Sequence, residues 1–370
     1  MKYYIIAGEA SGDLHASNLI KKLFKKDASA EVRGWGGDLM EKAGATLVKH
    51  YRDLAFMGFL EVILNLRTIL KNISFCKKDI LEFQPDALIF IDYPGFNMRI
   101  AKWAKKCRIA THYYISPQIW AWKENRIHAI KRDVDHMYVI LPFEKDFYEK
   151  KHHFPVEFVG HPLLDAIANQ PKTDDVLFRK EFDLDERPIV ALLPGSRKQE
   201  ITEMLSTMLQ LPKKYPSFQF VIAGAPSQED FFYKEIIGNR NAKLISNRTY
   251  ELLSIAHSAL VTSGTATLET GLFKVPQVVC YKGNSISYAI AKRIINLNYI
   301  SLVNLVLDKP VVTELIQNDF TFENLSTEFD KICDGYKRAT MFLDYYDLEQ
   351  ALGGTGASEK TATLIYNSLS

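Results

Sequence analysis

Short, almost uninterrupted apolar runs alternate with amphipathic stretches along most of the chain. The runs cover 2–7, 31–35, 45–49, 87–92, 110–116, 136–141 and 157–160. A second series covers 188–193, 218–223, 242–246, 258–262 and 277–282. Segments such as Ala87-Leu88-Ile89-Phe90-Ile91 and Ile189-Val190-Ala191-Leu192-Leu193 show no polar alternation, which predicts parallel strands buried on both faces. Helical periodicity fills the intervals, for instance 11–26, 56–83 and 97–107, so the pattern is one of βαβ units and doubly wound sheets. Polar sequence from Asn169 to Asp175 separates the two series as a linker. Beyond about residue 284 the strand signal stops and helices are expected, the last over 357–368 after the Gly353-Gly354-Thr355-Gly356 break. The fold class predicted is α/β, with two Rossmann-like domains, 1–170 and 171–350, and a cleft between them. The final segment, 355–370, is expected to pack back on the first domain.

Composition narrows the class. The chain has 370 residues, 47% hydrophobic and 24% charged, with a net charge of +2. That is the balance of an ordinary globular protein of about two domains, with no global attraction to nucleic acid. Four scattered cysteines (Cys76, Cys107, Cys280, Cys333) without a CxxC pair argue against a disulfide scaffold or zinc site and suit a reducing compartment. The first apolar run is too short for a signal peptide, and no run reaches a membrane span, so a cytoplasmic location is expected. The charge is uneven: 25 basic against 20 acidic residues through residue 170 give +5, leaving −3 for the remainder. Such asymmetry suits different partners for the two halves, though chance competes at this size.

Four loops that follow predicted strands carry candidate chemistry. Gly8-Glu9-Ala10-Ser11-Gly12-Asp13 opens a helix. It either receives an anion at the helix N-terminus or is a turn capped by Ser11 and Asp13. Its spacing matches neither GxGxxG nor a Walker loop. Asp92-Tyr93-Pro94-Gly95-Phe96-Asn97 places a carboxylate at a strand's carboxyl end, where a general base can sit, with Asn97 as cap of the next helix. From spacing alone, Asp92 reads better as another cap. Pro194-Gly195-Ser196-Arg197 offers backbone donors and a planar cation suited to a diphosphate, unless Arg197 simply pairs with Glu200. Ser263-Gly264-Thr265, with Glu269 one turn on, offers further anion-binding donors. Glu269 can accept from sugar hydroxyls or serve as a first-turn acid.

Two other stretches stand out. Residues 56–71 are apolar nearly all round, with Arg67, Lys71, Lys77 and Lys78 arriving at the end. Such a helix is either core or a surface for lipid. Residues 112–122 are aromatic-rich and can stack on a sugar, while His112 alone reads as a core or rim histidine. Asp133-Val134-Asp135 and Asp183-Leu184-Asp185 precede strands, so neither is placed as a Mg²⁺-binding DxD, and a metal-free mechanism without cofactor is favoured.

The motifs GEASGDLHA (8–16), FMGFLEV (56–62), IDYPGFN (91–97), YISPQIWAWK (114–123), LPFEKDFY (141–148), FVGHPLLD (158–165), LLPGSR (192–197), SGTATLE (263–269) and YISLVNL (299–305) occur in the order of bacterial lipid-A-disaccharide synthases and span nearly the whole chain. The sequence resembles that family. Departures are mild: Ala10 stands where some members carry Thr, and Gly95 where some carry a second Asp.

The resemblance implies an inverting GT-B glycosyltransferase that joins UDP-2,3-diacylglucosamine to 2,3-diacylglucosamine 1-phosphate (lipid X). The products would be the β-1′,6-linked lipid A disaccharide 1-phosphate and UDP. By the same resemblance, Asp92 is the base on the acceptor 6-hydroxyl and Arg197 contacts the UDP diphosphate. Ser263, Gly264, Thr265, Glu269 and Asn304 lie at the donor site, and Gly8, Glu9, Ser11, Gly12, Asn97, Gly195 and Ser196 are further substrate-binding candidates. The acceptor phosphate is expected at loop 8–13. Phe56, Met57, Phe59, Leu60, Ile63 and Leu66 are the implied acyl-chain and membrane contacts, on an enzyme lying at the cytosolic face of the inner membrane. A homodimer with exchanged C-terminal segments is a further implied partner. Another GT-B enzyme, such as a UDP-sugar epimerase or a transferase on a soluble acceptor, remains the alternative.

Overall fold

A computed structural model describes residues 1–54, 66–284, 288 and 298–370. The chain forms two compact units, Met1–Asn169 with Leu352–Ser370, and Gln170–Ala351.

The first unit is built on a seven-stranded sheet in the order β3-β2-β1-β4-β5-β6-β7. Its strands are β1 (Lys2–Ala7), β2 (Glu31–Gly36), β3 (Thr46–His50), β4 (Ala87–Ile91), β5 (Ala110–Tyr114), β6 (His136–Val139) and β7 (Glu157–Phe158). Every pairing is parallel; β1 lies between β2 and β4 with Ile6 opposite Trp35 and Phe90. The unbroken apolar runs of β1 and β4 follow from this central position, since Tyr3 to Ala7 and Ala87 to Ile91 are fully buried. One buried chain of polar atoms in this core is fully paired. Trp35 Nε1 donates to Tyr4 Oη at 3.0 Å, Tyr4 Oη donates to Asp79 at 2.7 Å, and Arg33 Nε donates to Asp79 at 3.1 Å.

The carboxyl-terminal residues complete this unit. Helix Ala357–Leu369 packs along helix Ala10–Lys26. Asp165 accepts from the N–H groups of Gly356 (2.6 Å) and Ser358 (2.8 Å) at the start of that last helix, and His161 N–H donates to Leu352 O at 2.9 Å.

The second unit has a six-stranded parallel sheet in the order β10-β9-β8-β11-β12-β13. It comprises β8 (Ile189–Leu193), β9 (Gln219–Gly224), β10 (Ala242–Ser246), β11 (Ser258–Thr262), β12 (Gln277–Tyr281) and β13 (Thr313–Ile316). The last strand corrects the expectation that strands end near residue 284. Thr313-Glu314-Leu315-Ile316 is an edge strand, mostly only half-buried, so it lacks the apolar run that marks the interior strands. Both sheets reverse winding direction once, between β1 and β4 and between β8 and β11. In doubly wound sheets, ligands bind outside the carboxyl ends of strands at such points.

Candidate active site

The four strand-end loops singled out in the sequence fall at these two reversal points. Loop 8–13 follows β1 and Asp92 follows β4, which are neighbours in the first sheet. Loop 194–197 follows β8 and loop 263–265 follows β11, which are neighbours in the second.

In the first unit, β4 ends at Ile91 and the chain enters two successive left-handed residues, Asp92 (φ 44°) and Tyr93 (φ 48°). Non-glycine residues in this region are strained and persist only where the surroundings fix them. Here the fixing is explicit. Asp92 N–H donates to Tyr114 O (3.1 Å), and Asp92 O accepts from Tyr113 Oη (2.6 Å) and Asn97 Nδ2 (2.7 Å). Asn97 is therefore not a helix cap: Pro94 takes the first helical position of Pro94–Lys106, and the buried Asn97 amide ties strand ends together instead.

The Asp92 carboxyl faces a pocket of about 260 Å³ lined by Glu9, Tyr93, Pro117, Trp122 and Arg126 among others. Burial, and secondarily the neighbouring Glu9, push its pKa up to about 6 despite a hydrogen bond from the Tyr93 N–H. A carboxylate so placed can accept a proton near neutrality.

Gly8 is required for this geometry, because a Cβ there would lie 2.3 Å from the Tyr93 ring. Gly12 lets its helix approach Ala7 closely, with a built Cβ 3.2 Å from the Ala7 side chain. Glu9 and Ser11 are exposed at the loop. Asp13 does not cap its own helix. It accepts from Gly37 (2.8 Å), Leu39 (3.1 Å) and Met40 (3.0 Å) N–H, and so caps helix Asp38–Lys42.

One pocket wall hangs on Glu144, a buried residue the sequence reading did not single out. It accepts from Ser116 Oγ (2.6 Å), Trp120 Nε1 (3.2 Å) and the Ile140 and Leu141 N–H groups (3.0 and 2.9 Å). Arg126 was also missed. Local sequence shows a cation there, but only the fold carries it to the pocket. His112 is a core residue, its Nδ1 2.9 Å from Tyr138 Oη.

In the second unit, Gly195 has φ 98° and Glu200 accepts from the Ser196 N–H at 3.1 Å. Glu200 is thus engaged with the loop backbone and not with Arg197. The exposed Arg197 guanidinium has no protein partner among the described residues. Ser227 Oγ and Gln228 Nε2 hold Ser196 O, each at 3.0 Å.

After β11, Ser263 Oγ donates to Ile300 O (3.0 Å), while Gly264 and Thr265 are exposed at the start of helix Thr265–Leu272. Glu269 is half-buried and accepts from Tyr250 Oη at 2.8 Å; burial raises its pKa. Asn304 is tied into the local structure. Its amide donates to Val312 O (2.9 Å) and Glu314 (3.0 Å) and accepts from Val312 N–H (2.9 Å), and the residue lines a cavity with Tyr299, Pro310 and Glu314. Glu314, on the strand the sequence reading missed, also accepts from the Ile300 and Ser301 N–H groups and braces the segment that holds Ser263.

Both DxD segments are engaged with protein. Asp133 pairs with Arg132 and Asp135 with Thr111 and Lys105, while Asp183 pairs with Lys243 and Asp185 with Arg187. Phe56, Met57, Phe59, Leu60 and Ile63 lie outside the described residues. Leu66 opens helix Leu66–Phe83, on which Leu70, Phe75 and Leu81 are exposed beside Lys71 and Lys78. Among the described residues, no helix is long and apolar enough to cross a membrane.

The family model of lipid-A-disaccharide synthetase matches residues 3–364. The chain belongs to the lipid-A-disaccharide synthase family. It is 38% identical to the lipid-A-disaccharide synthase of Coxiella burnetii strain CbuG_Q212 over 374 residues, covering 98% of this chain and 97% of that one. It is 39% identical to that of Syntrophus aciditrophicus, covering 97% and 96%. The enzyme is therefore a hexosyltransferase of lipid A biosynthesis, acting on lipid-linked sugars.

Its fold is similar to a UDP-GlcNAc 2-epimerase from Neisseria meningitidis bound to UDP-GlcNAc (TM-score 0.69, 15% identity, 100% and 99% of the chains covered). The glycotransferase of kitacinnamycin is similar too (TM-score 0.69, 14% identity, 100% and 99%). At these identities the likeness speaks for the GT-B architecture alone.

Proposed function

We propose that the enzyme joins UDP-2,3-diacylglucosamine to 2,3-diacylglucosamine 1-phosphate with inversion at the anomeric carbon, releasing UDP and the β-1′,6-linked disaccharide 1-phosphate. The observation that carries this reading is the Asp92 carboxyl. It is clamped at a sheet reversal point, faces a pocket, and is raised to a pKa of about 6. It takes the proton of the acceptor 6-hydroxyl as that oxygen attacks the donor's anomeric carbon. The bond to UDP breaks in the same step, so one base and no protein nucleophile suffice. Charge building on the diphosphate is met by Arg197, unpaired among the described residues, and by the backbone donors around Gly195, Gly264 and Thr265. With these groups the reaction proceeds without a metal ion or other cofactor.

The exposed apolar positions of helix Leu66–Phe83, with their lysines, support a peripheral enzyme at an anionic membrane face, and the +5 charge of the first 170 residues agrees. Phe56, Met57, Phe59, Leu60 and Ile63, outside the described residues, are proposed as acyl-chain contacts. Homodimers with exchanged C-terminal segments belong to the same proposal. The test is the anomeric configuration of the disaccharide formed from the two lipid substrates, read by NMR. A β linkage agrees, and an α linkage rules out single displacement.

A further inference from the structure

The pocket at Asp92 is lined by a cation with no carboxylate partner among the described residues. Arg126 is half-buried and lines this pocket, yet it makes no ion pair among the described residues. Its sequence neighbour Glu124 is already engaged, by Lys151 at 2.8 Å and His152 at 3.0 Å. Glu9 and Asp92 line the same pocket without approaching the guanidinium to ion-pair distance. Arg126 is also held in place. Its guanidinium lies 5.5 Å from the centroid of the Trp122 ring, and the Lys123 ammonium lies over the same ring at 4.2 Å. Trp122 is 45% exposed, a large apolar face open to solvent and flanked by two cations that make no ion pair among the described residues.

A guanidinium already stacked on an indole forfeits little conformational freedom when it grips a second partner. The pocket thus has hydroxyl acceptors at Glu9 and Asp92, an apolar plate at Trp122 and an anion receptor at Arg126. A phosphorylated sugar carries the complementary groups. In a hexopyranose 1-phosphate, the 6-hydroxyl and the phosphate flank the ring oxygen, and the C–H face suits an aromatic plate.

We propose that Arg126, stacked on Trp122 and assisted by Lys123, takes the acceptor's phosphate and sets selectivity for a 1-phosphorylated acceptor. This assigns the phosphate to the Arg126 side of the pocket instead of to the helix N-terminus at loop 8–13, and it rests on the reading that this pocket receives the acceptor.

The test varies the acceptor at saturating donor in detergent micelles. Arg126→Ala is expected to raise KM for lipid X about 10- to 100-fold, the loss of a charge-assisted hydrogen-bond pair. Expected alongside are a kcat within about twofold of wild type and unchanged inhibition by UDP. The preference for lipid X over its 1-hydroxyl analogue should collapse, and Arg126→Lys should keep part of it. An unchanged preference overturns the proposal, as does a loss of UDP affinity, which would make Arg126 a donor-diphosphate contact. Calorimetry with glucosamine 1-phosphate reads the same site without turnover, and weaker binding to folded Arg126→Ala or Arg126→Lys than to wild type is expected. Equal binding overturns the proposal. If the wild type releases no UDP with lipid X, it is the functional reading that fails, and the calorimetric comparison still decides the anion site.

Discussion

Gly8 and Tyr93 form a contact that leaves no room for a side chain. A Cβ on Gly8 would sit 2.3 Å from the Tyr93 ring, and Tyr93 is the left-handed residue directly after Asp92. The end of β1 therefore positions the carboxylate at the end of β4 through one aromatic ring. Gly8→Ala is expected to displace Tyr93 and lower kcat by more than tenfold at a stability cost of about 1–3 kcal/mol, the usual cost of overpacking. Activity assays with thermal unfolding check it; full activity would show that the ring relaxes without moving Asp92.

Asp92 should impose two opposite pH dependences. As a base it works deprotonated, so kcat/KM, which reports the free enzyme, is expected to fall as pH drops through about 6. For stability, its folded pKa lies above the unfolded value of about 3.8. The group's contribution is therefore present below pH ~4 and lost as pH rises through about 6. Asp92→Asn removes that penalty. Above pH 7 the variant is expected to be inactive yet more stable than wild type by on the order of 2–3 kcal/mol, with the gap closing near pH 4. Denaturant titrations at pH 4 and 8 measure this.

Arg197 has no protein partner to lose among the described residues. Arg197→Ala should therefore leave the melting temperature within about 1–2 °C. It should lower kcat/KM about 100- to 1000-fold, in the range for removing one donor to developing charge. A large drop in melting temperature would assign the residue a structural role instead.

Leu70 and Leu81 are 54% and 56% exposed on one face of helix Leu66–Phe83, about three turns apart. The double variant Leu70→Glu with Leu81→Glu should weaken sedimentation with anionic vesicles while leaving thermal unfolding nearly unchanged. Unfolding without a change in vesicle binding would make this face part of the core.

Much of this was legible in the chain because buried parallel strands write themselves as apolar runs. Twelve of the thirteen strands described lie within a residue or two of those runs, and the loops after β1, β4, β8 and β11 carried the candidate chemistry. What escaped was set by tertiary context. β13 is an edge strand whose Glu314 braces Asn304, so its pattern is polar. Asp13 looked like a local cap, but its partners lie 24 to 27 residues on. Asn97 looked like a cap because of its residue type, yet Pro94 begins the helix and frees the amide to bind strand ends. Arg126 and Glu144 had ordinary local surroundings, and only the fold brings them to the pocket.

The central claim is that Asp92 activates a lipid acceptor for attack on a UDP-sugar. Its most direct test is UDP release by wild type and by Asp92→Asn, each with UDP-2,3-diacylglucosamine, in the presence and absence of lipid X. The account predicts rapid release by wild type only when lipid X is present, and loss of nearly all of it in the folded variant. Release by wild type that does not depend on lipid X, or an Asp92→Asn enzyme that turns over at the wild-type rate, would contradict it.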